Sequence, residues 1–152
     1  MGRTDSGEID LASLVIPLRN RAGEREALCL AVPFLHQGDY PAAPEGELDS
    51  YVAGIGRMYR RLYAYADVRR NPGEAIVALG HLHATGAELS EDDRSERAIM
   101  GGLESVSADT FDAGIAYTAL GHIHKAQRIG GRDVTPEARF PCRSRRRTTG
   151  IK

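Results

Sequence analysis

Four of the five histidines in this 152-residue chain fall in two near-copies of one short motif. The first is Ala78-Leu79-Gly80-His81-Leu82-His83, and 41 residues later comes Ala119-Leu120-Gly121-His122-Ile123-His124. Each follows a short apolar run, Ala75-Ile76-Val77 or Ile115-Ala116-Tyr117, of the kind that forms a buried strand. A strand ending in Gly-His-x-His carries imidazoles to the rim of a sheet. Residues two apart on a strand share a face and lie roughly 6.5 Å apart, so such rings can serve one metal ion or two adjacent ones. Neutral imidazole suits Zn, Fe, Mn, Ni or Cu. A glycine directly before His81 and His122 permits close backbone approach to a ligand, or a conformation closed to other residues. One copy alone reads equally well as a strand end with a core or surface histidine; two matching copies favour metal.

What the motifs lack is carboxylate. A hydrolytic two-metal centre needs an anionic bridging ligand, usually Asp, plus further oxygen donors. Glu88, Glu91, Asp92, Asp93, Asp109 and Asp112 stand nearby without ligand spacing and read as solvated surface charge. The imidazoles therefore make one half of a site. His36, in Pro33-Phe34-Leu35-His36-Gln37-Gly38-Asp39, is isolated and reads as a surface histidine. Asp39 follows a glycine, but no second Asp comes three residues later, so it is no metal motif.

The elements that must position these residues are legible in outline. Leu14 to Leu18 and Ala27 to Val32 flank the turn-like Arg19-Asn20-Arg21-Ala22-Gly23, predicting a hairpin that Pro33 stops. Gln37 to Gly46, with Pro41 and Pro44, reads as loop. From Leu48 to Arg70, the residues Leu48, Tyr51, Val52, Ile55, Met58, Tyr59, Leu62, Tyr63 and Ala66 recur at the spacing of one buried helix face. This tyrosine-rich stripe is core packing rather than a cofactor box. Asn71-Pro72-Gly73 ends the helix, and an apolar strand over 75–79 follows, which implies an α/β layered arrangement. Thr85 to Arg97 is polar and loop-like, and Ser107 or Asp109 can cap a short helical turn. A strand is expected over 115–120, then an edge strand and turn around Gln127 to Arg132.

Composition bounds the rest. With 41% hydrophobic and 27% charged residues the chain suits one ordinary globular domain, or part of one. No apolar run is long enough to cross a bilayer, and Met1-Gly2-Arg3-Thr4-Asp5 does not open a secretory signal. Cys29 and Cys142 are too few and too scattered for a disulfide framework or zinc ribbon. A cytoplasmic protein without a membrane partner is the expectation. Residues 139–152 hold six of the 20 basic side chains and no acidic ones, which leaves 14 positive against 21 negative charges, a balance of −7, in residues 1–138. An acidic body does not draw nucleic acid by its overall field, so DNA contact requires a local patch or a partner subunit.

From about Ile16 to Val134 the chain resembles the SbcD subunits of bacterial SbcCD exonucleases, relatives of the Mre-type repair nucleases. Ala31-Val32-Pro33-Phe34-Leu35 looks like the family's strand before its middle helix, and Ala78 to His83 like its fourth phosphoesterase motif. Ser95-Glu96-Arg97 with Gly101-Gly102 matches the stretch after it, and Tyr117 to Gln127 is similar to the fifth motif and its flank. The resemblance implies a calcineurin-like metallophosphoesterase fold, a four-layer αββα sandwich of which this chain would be the second half. It also implies a dinuclear centre, manganese first and magnesium second, that hydrolyses DNA phosphodiesters as a double-strand exonuclease and single-strand endonuclease in repair, recombination and replication. By position, His81 and His122 would bind one metal and His124 the other, while His83 falls where the family tolerates non-ligands. The implied partners are DNA and an SbcC-type coiled-coil ATPase, with a homodimer of this subunit inside a heterotetramer.

Two departures accompany the resemblance. The family's Asp-x-His, Gly-Asp-x-x-Asp and Gly-Asn-His-Asp motifs, which supply the bridging Asp, an Asn ligand and the catalytic His, have no counterpart here. No family catalytic residue is therefore expected in this chain, and an apolar sheet face should stand uncovered. The resemblance also stops after Val134, dividing the chain into a partial nuclease domain over 1–134 and a disordered tail over 135–152. Thr135-Pro136-Glu137-Ala138-Arg139-Phe140-Pro141-Cys142-Arg143-Ser144 stands where the family has a Tyr-Ser-Gly-Ser-Pro-like string, an offset that one shifted reading frame would produce. The arginine run 143–147 would then be accidental rather than a nucleic-acid patch. Besides a truncated nuclease subunit with little activity alone, the sequence admits a non-catalytic metal-binding or interaction fragment, or a phosphoesterase for small molecules.

Overall fold

The computed structural model describes residues 2–36, 38–46, 50–85, 105–121 and 134–136, the last three by backbone alone. The expected hairpin forms from β1 (Val15–Arg19) and β2 (Arg25–Ala31), paired antiparallel from Val15↔Leu30 to Arg19↔Arg25. Its turn is organised by Asn20, whose side-chain oxygen accepts from the backbone N–H of Ala22 (2.9 Å) and Glu24 (3.0 Å). Gly23 takes φ 85° there, a conformation that glycine enters without steric cost. β1 is a sheet edge, the position where a proline such as Pro17, with no N–H, is tolerated.

The helix, α1 (Tyr51–Asp67), is shorter than the 48–70 stripe predicts. It begins where the Ser50 hydroxyl accepts from the Ala53 N–H at 3.2 Å, satisfying one of the orphan donors of the first turn. It ends before Asn71-Pro72-Gly73, because the N–H groups of Arg69 and Arg70 both turn back onto the Ala66 carbonyl at 2.9 Å. Residues 47–49, including Leu48, lie outside the described residues. Ile55, Met58, Tyr59, Leu62 and Ala66 are fully buried, as a packing stripe requires. Among the described residues no helix is long and apolar enough to cross a membrane.

After α1 the chain enters β3 (Ala75–His81), which runs parallel to β2; β4 (Tyr117–Gly121) and β5 (Val134–Pro136) add in parallel, giving the order β1-β2-β3-β4-β5. The fold is thus mixed α/β, in keeping with part of a phosphoesterase domain. β3 runs two residues beyond the expected strand, and β4 starts two residues later than expected. Before β4, Ser107 caps a short 3₁₀ turn (Ala108–Thr110), accepting from the Asp109 N–H at 3.3 Å. The expected strand around Gln127 to Arg132, the polar stretch 86–97 and residues 137–152 lie outside the described residues. Thr135 and Pro136, the first of the expected tail, pair with Ala119 and Leu120 in β5.

The two faces of the sheet differ. Leu28, Leu30, Ile76, Ala78, Thr118 and Leu120 alternate onto the face that packs against α1, each at most 4% exposed. The opposite face carries Ile16 (46% exposed), Leu18 (42%), Leu79 (43%) and Tyr117 (41%) around the small residues Ala27, Cys29 and Ala119. Among the described residues this is the more exposed of the two faces. Cys29 is a free thiol in its middle, and burial pushes its pKa up.

A partly buried ion pair fixes the turn between helix and strand. Arg25 Nε and Nη2 meet Glu74 Oε1 and Oε2 at 2.7 and 2.9 Å, a two-pronged contact. Asn71 donates to the same carboxylate from its backbone (2.7 Å) and its side chain (2.8 Å). With its lone pairs taken, the Glu74 carboxyl is held down at about 2, chiefly by Arg25.

Candidate metal centre

The duplicated motif is not duplicated in space. β3 and β4 are parallel neighbours, but their register pairs Leu79 with Ala119, Gly80 with Leu120 and His81 with Gly121. The copies are therefore out of step by one residue, so that Leu79 and Leu120, and likewise Gly80 and Gly121, fall on opposite faces. Leu79 lies on the open face at 43% exposure, whereas its counterpart Leu120 is 1% exposed beneath α1.

The two glycines accordingly do different work, and neither takes a positive φ. This corrects the second alternative expected of them, a conformation closed to other residues. Gly80 faces the helix, where a Cβ would stand 2.2 Å from the Tyr59 hydroxyl. Gly121 faces the other way, where a Cβ would stand 3.3 Å from His81 Nδ1. Its bare backbone clears the space beside the His81 ring.

His81 is exposed at the tip of β3, over a pocket of about 270 Å³ lined by Val32, Leu79, Gly80, His81, Ala119 and Gly121. The Phe34 ring meets it edge-on, with centroids 5.8 Å apart, and meets His36 in the same manner at 4.9 Å. His36 is exposed, as expected, but it is not isolated: Phe34 links it to His81. The segment is held by the His36 N–H on the Asp39 carboxylate (2.9 Å) and the Asp39 N–H on the His36 carbonyl (3.0 Å). Sequence reasoning missed Phe34, because an aromatic after a strand-ending proline carries no spacing signal toward a histidine 47 positions away.

β3 stops at His81, so His83 is not the second ring of a strand-tip pair. His83 is half-buried, its carbonyl accepting from the Val106 N–H at 2.8 Å in a short bridge of Ala84 to Val106. His122 and His124 lie outside the described residues, so of the three predicted ligands the structure places His81. Among the described residues no group of three or more His, Cys, Asp or Glu side chains is arranged to hold an ion. His81 fits as a single nitrogen donor at an exposed strand tip; a complete coordination shell needs donors from elsewhere.

No protein-family model matches the chain. Among curated proteins it is similar to the SbcD subunit of the nuclease SbcCD of Rhodobacter capsulatus, 34% identical over 139 residues, covering 89% of this chain and 34% of that protein. It is also similar to the SbcD subunit of the nuclease SbcCD of Escherichia coli K12, 34% identical over 120 residues, covering 75% of this chain and 29% of that protein. The chain thus spans about a third of the length of these relatives.

Proposed function

We infer that this chain, an SbcD-like sequence over part of that family's length, supplies one wall of a metal-dependent DNA phosphodiesterase centre. The observation that carries this reading is His81, presented at a parallel strand tip with Gly121 clearing its ring, within a sequence related to nuclease subunits. In the proposed site His81 and His122 hold one divalent ion and His124 the second. Two such ions, Mn²⁺ in preference to Mg²⁺, would supply Lewis-acid activation of water for in-line attack on a DNA phosphodiester.

The chain's own contribution is positional. β3 and β4 bring His81 and the residue preceding His122 side by side, and Phe34 limits the His81 ring on its open side. Anionic ligands and the group that assists the leaving oxygen must come from outside the residues matched here. The partners proposed for the assembled enzyme are DNA and an SbcC-type ATPase, with two copies of this subunit in a heterotetramer, in the cytoplasm. The −7 balance of residues 1–138 argues that such partners, rather than this body's field, bring DNA to the site.

Calorimetric titration of the chain with Mn²⁺ and with Zn²⁺ tests the reading. Weak binding that His81→Ala and His122→Ala each diminish is the expected result, with little or no cleavage of linear duplex DNA by the chain alone. Binding indifferent to His81→Ala overturns it. Robust Mn²⁺-dependent cleavage abolished by His122→Ala would show instead that this chain is a complete nuclease.

A further inference from the structure

Tyr59 is the largest fully buried side chain on α1, and its hydroxyl has to find an acceptor inside the core. It donates to the Leu79 carbonyl at 2.9 Å, two residues before His81. That carbonyl already accepts from the Val32 N–H at 3.1 Å, which carries strand pairing one residue past the end of β2. Both lone pairs of a single carbonyl are thus used, one within the sheet and one from the helix beneath it. The Phe111 ring packs edge-on against Tyr59, centroids 4.8 Å apart, and fixes the direction in which the hydroxyl points.

The neighbouring glycine belongs to the same arrangement. A Cβ at position 80 would stand 2.2 Å from the Tyr59 hydroxyl, against backbone-fixed geometry on one side and a fully packed phenol on the other. Glycine at 80 and tyrosine at 59 are therefore one device, spanning α1 and the last residues of β3. The phenol remains a donor throughout the accessible pH range, because burial drives its ionisation far upward.

We propose that Tyr59 is a positioning residue for His81: by clamping the Leu79 carbonyl from below the sheet it fixes the Gly80 peptide and, through it, the exit direction of the His81 imidazole. This rests on the reading of His81 as a metal donor only for its functional consequence, and the test keeps the two separate. Tyr59→Phe removes the clamp and keeps the ring. Gly80→Ala keeps the phenol and pushes it off Leu79. Ile55→Val trims an equally buried residue of the same helix whose aliphatic side chain has no donor to offer the Leu79 carbonyl.

The measurement is nuclear magnetic resonance on the metal-free full chain, following the His81 ring resonances and the exchange rate of the Val32 amide. Both Tyr59→Phe and Gly80→Ala should move the His81 signals, and Tyr59→Phe should speed Val32 exchange about three- to tenfold, the range set by loss of one net hydrogen bond. Ile55→Val should leave both unchanged. A His81 ring and Val32 amide indifferent to Tyr59→Phe, or equally perturbed by Ile55→Val, overturn the proposal. In a parallel Mn²⁺ titration Tyr59→Phe should weaken binding by a similar factor without abolishing it. If the unaltered chain binds no Mn²⁺, the metal reading of His81 fails while the metal-free comparison still decides the role of Tyr59.

Discussion

Gly121 stands directly across two parallel strands from His81, and a Cβ on it would come 3.3 Å from His81 Nδ1. The pair brings together non-equivalent positions of a repeated motif. Gly121→Val would place a branched side chain where the imidazole now lies. The ring must rotate toward Phe34 or away from the pocket, while the strand itself gains a residue type it favours. Mn²⁺ affinity of the chain is expected to fall about 10–100-fold, the cost of disturbing a ligand's surroundings, with thermal stability changed by no more than about 1 kcal/mol. Titration calorimetry beside a thermal melt checks both, and unchanged affinity would mean that the His81 ring does not need this space.

The packing of α1 offers a second prediction, in which two effects oppose each other. Gly54→Ala should help an isolated helix by about 1 kcal/mol. Here, however, the new Cβ would fall 2.0 Å from the Tyr40 ring, which is 5% exposed against the helix. Displacing a buried aromatic forfeits about 1.5–3 kcal/mol of burial. The clash wins, and chemical denaturation should show Gly54→Ala destabilised by about 0.5–2 kcal/mol. A stabilised variant would mean that Tyr40 is held only loosely on Gly54.

The sequence carried the hairpin, the helix face, the α/β layering and the strand bearing His81, because each is written in short-range periodicity or turn chemistry. It did not carry the one-residue offset between the motif copies. Register is set by pairing between strands, and no local pattern records that Gly80 meets Leu120 while His81 meets Gly121. For the same reason two identical glycines looked alike, although one answers to Tyr59 and the other to His81. The helix ends were over-read because Leu48 at one end and the Asn71-Pro72-Gly73 stop at the other lie beyond the points where Ser50 and the Ala66 carbonyl close the hydrogen-bond ladder.

The open face of the sheet predicts how the chain behaves at high concentration. Ile16, Leu18, Leu79 and Tyr117, each more than 40% exposed, form an apolar strip of the kind that drives association. Ile16→Lys with Leu18→Lys, both on the edge strand β1, should shift sedimentation profiles toward monomer and lower binding of an apolar fluorescent dye. Each change sits on the surface and should alter stability by no more than about 0.5 kcal/mol. Profiles identical to the parent chain would show that this face is covered in solution.

The Arg25–Glu74 contact makes a pH prediction whose sign follows from the direction of the shift. The Glu74 carboxyl is lowered from 4.5 in the unfolded chain to about 2 in the fold, mainly by the Arg25 guanidinium and also by the two Asn71 donors. A lowered value means that the fold prefers the ionised form, so the stabilisation is fully present above about 4.5 and is lost as pH falls toward 2. Glu74→Gln should therefore melt at a lower temperature than the parent at neutral pH. Its melting temperature should then fall less steeply than the parent's between pH 4.5 and 2, so that the two curves converge. The Arg25 partner stays charged across this window, its own pKa raised by the same contact, so the slope belongs to the carboxyl. Parallel curves over that window would place the charge linkage elsewhere and leave Glu74 as a hydrogen-bond acceptor for the Asn71 turn.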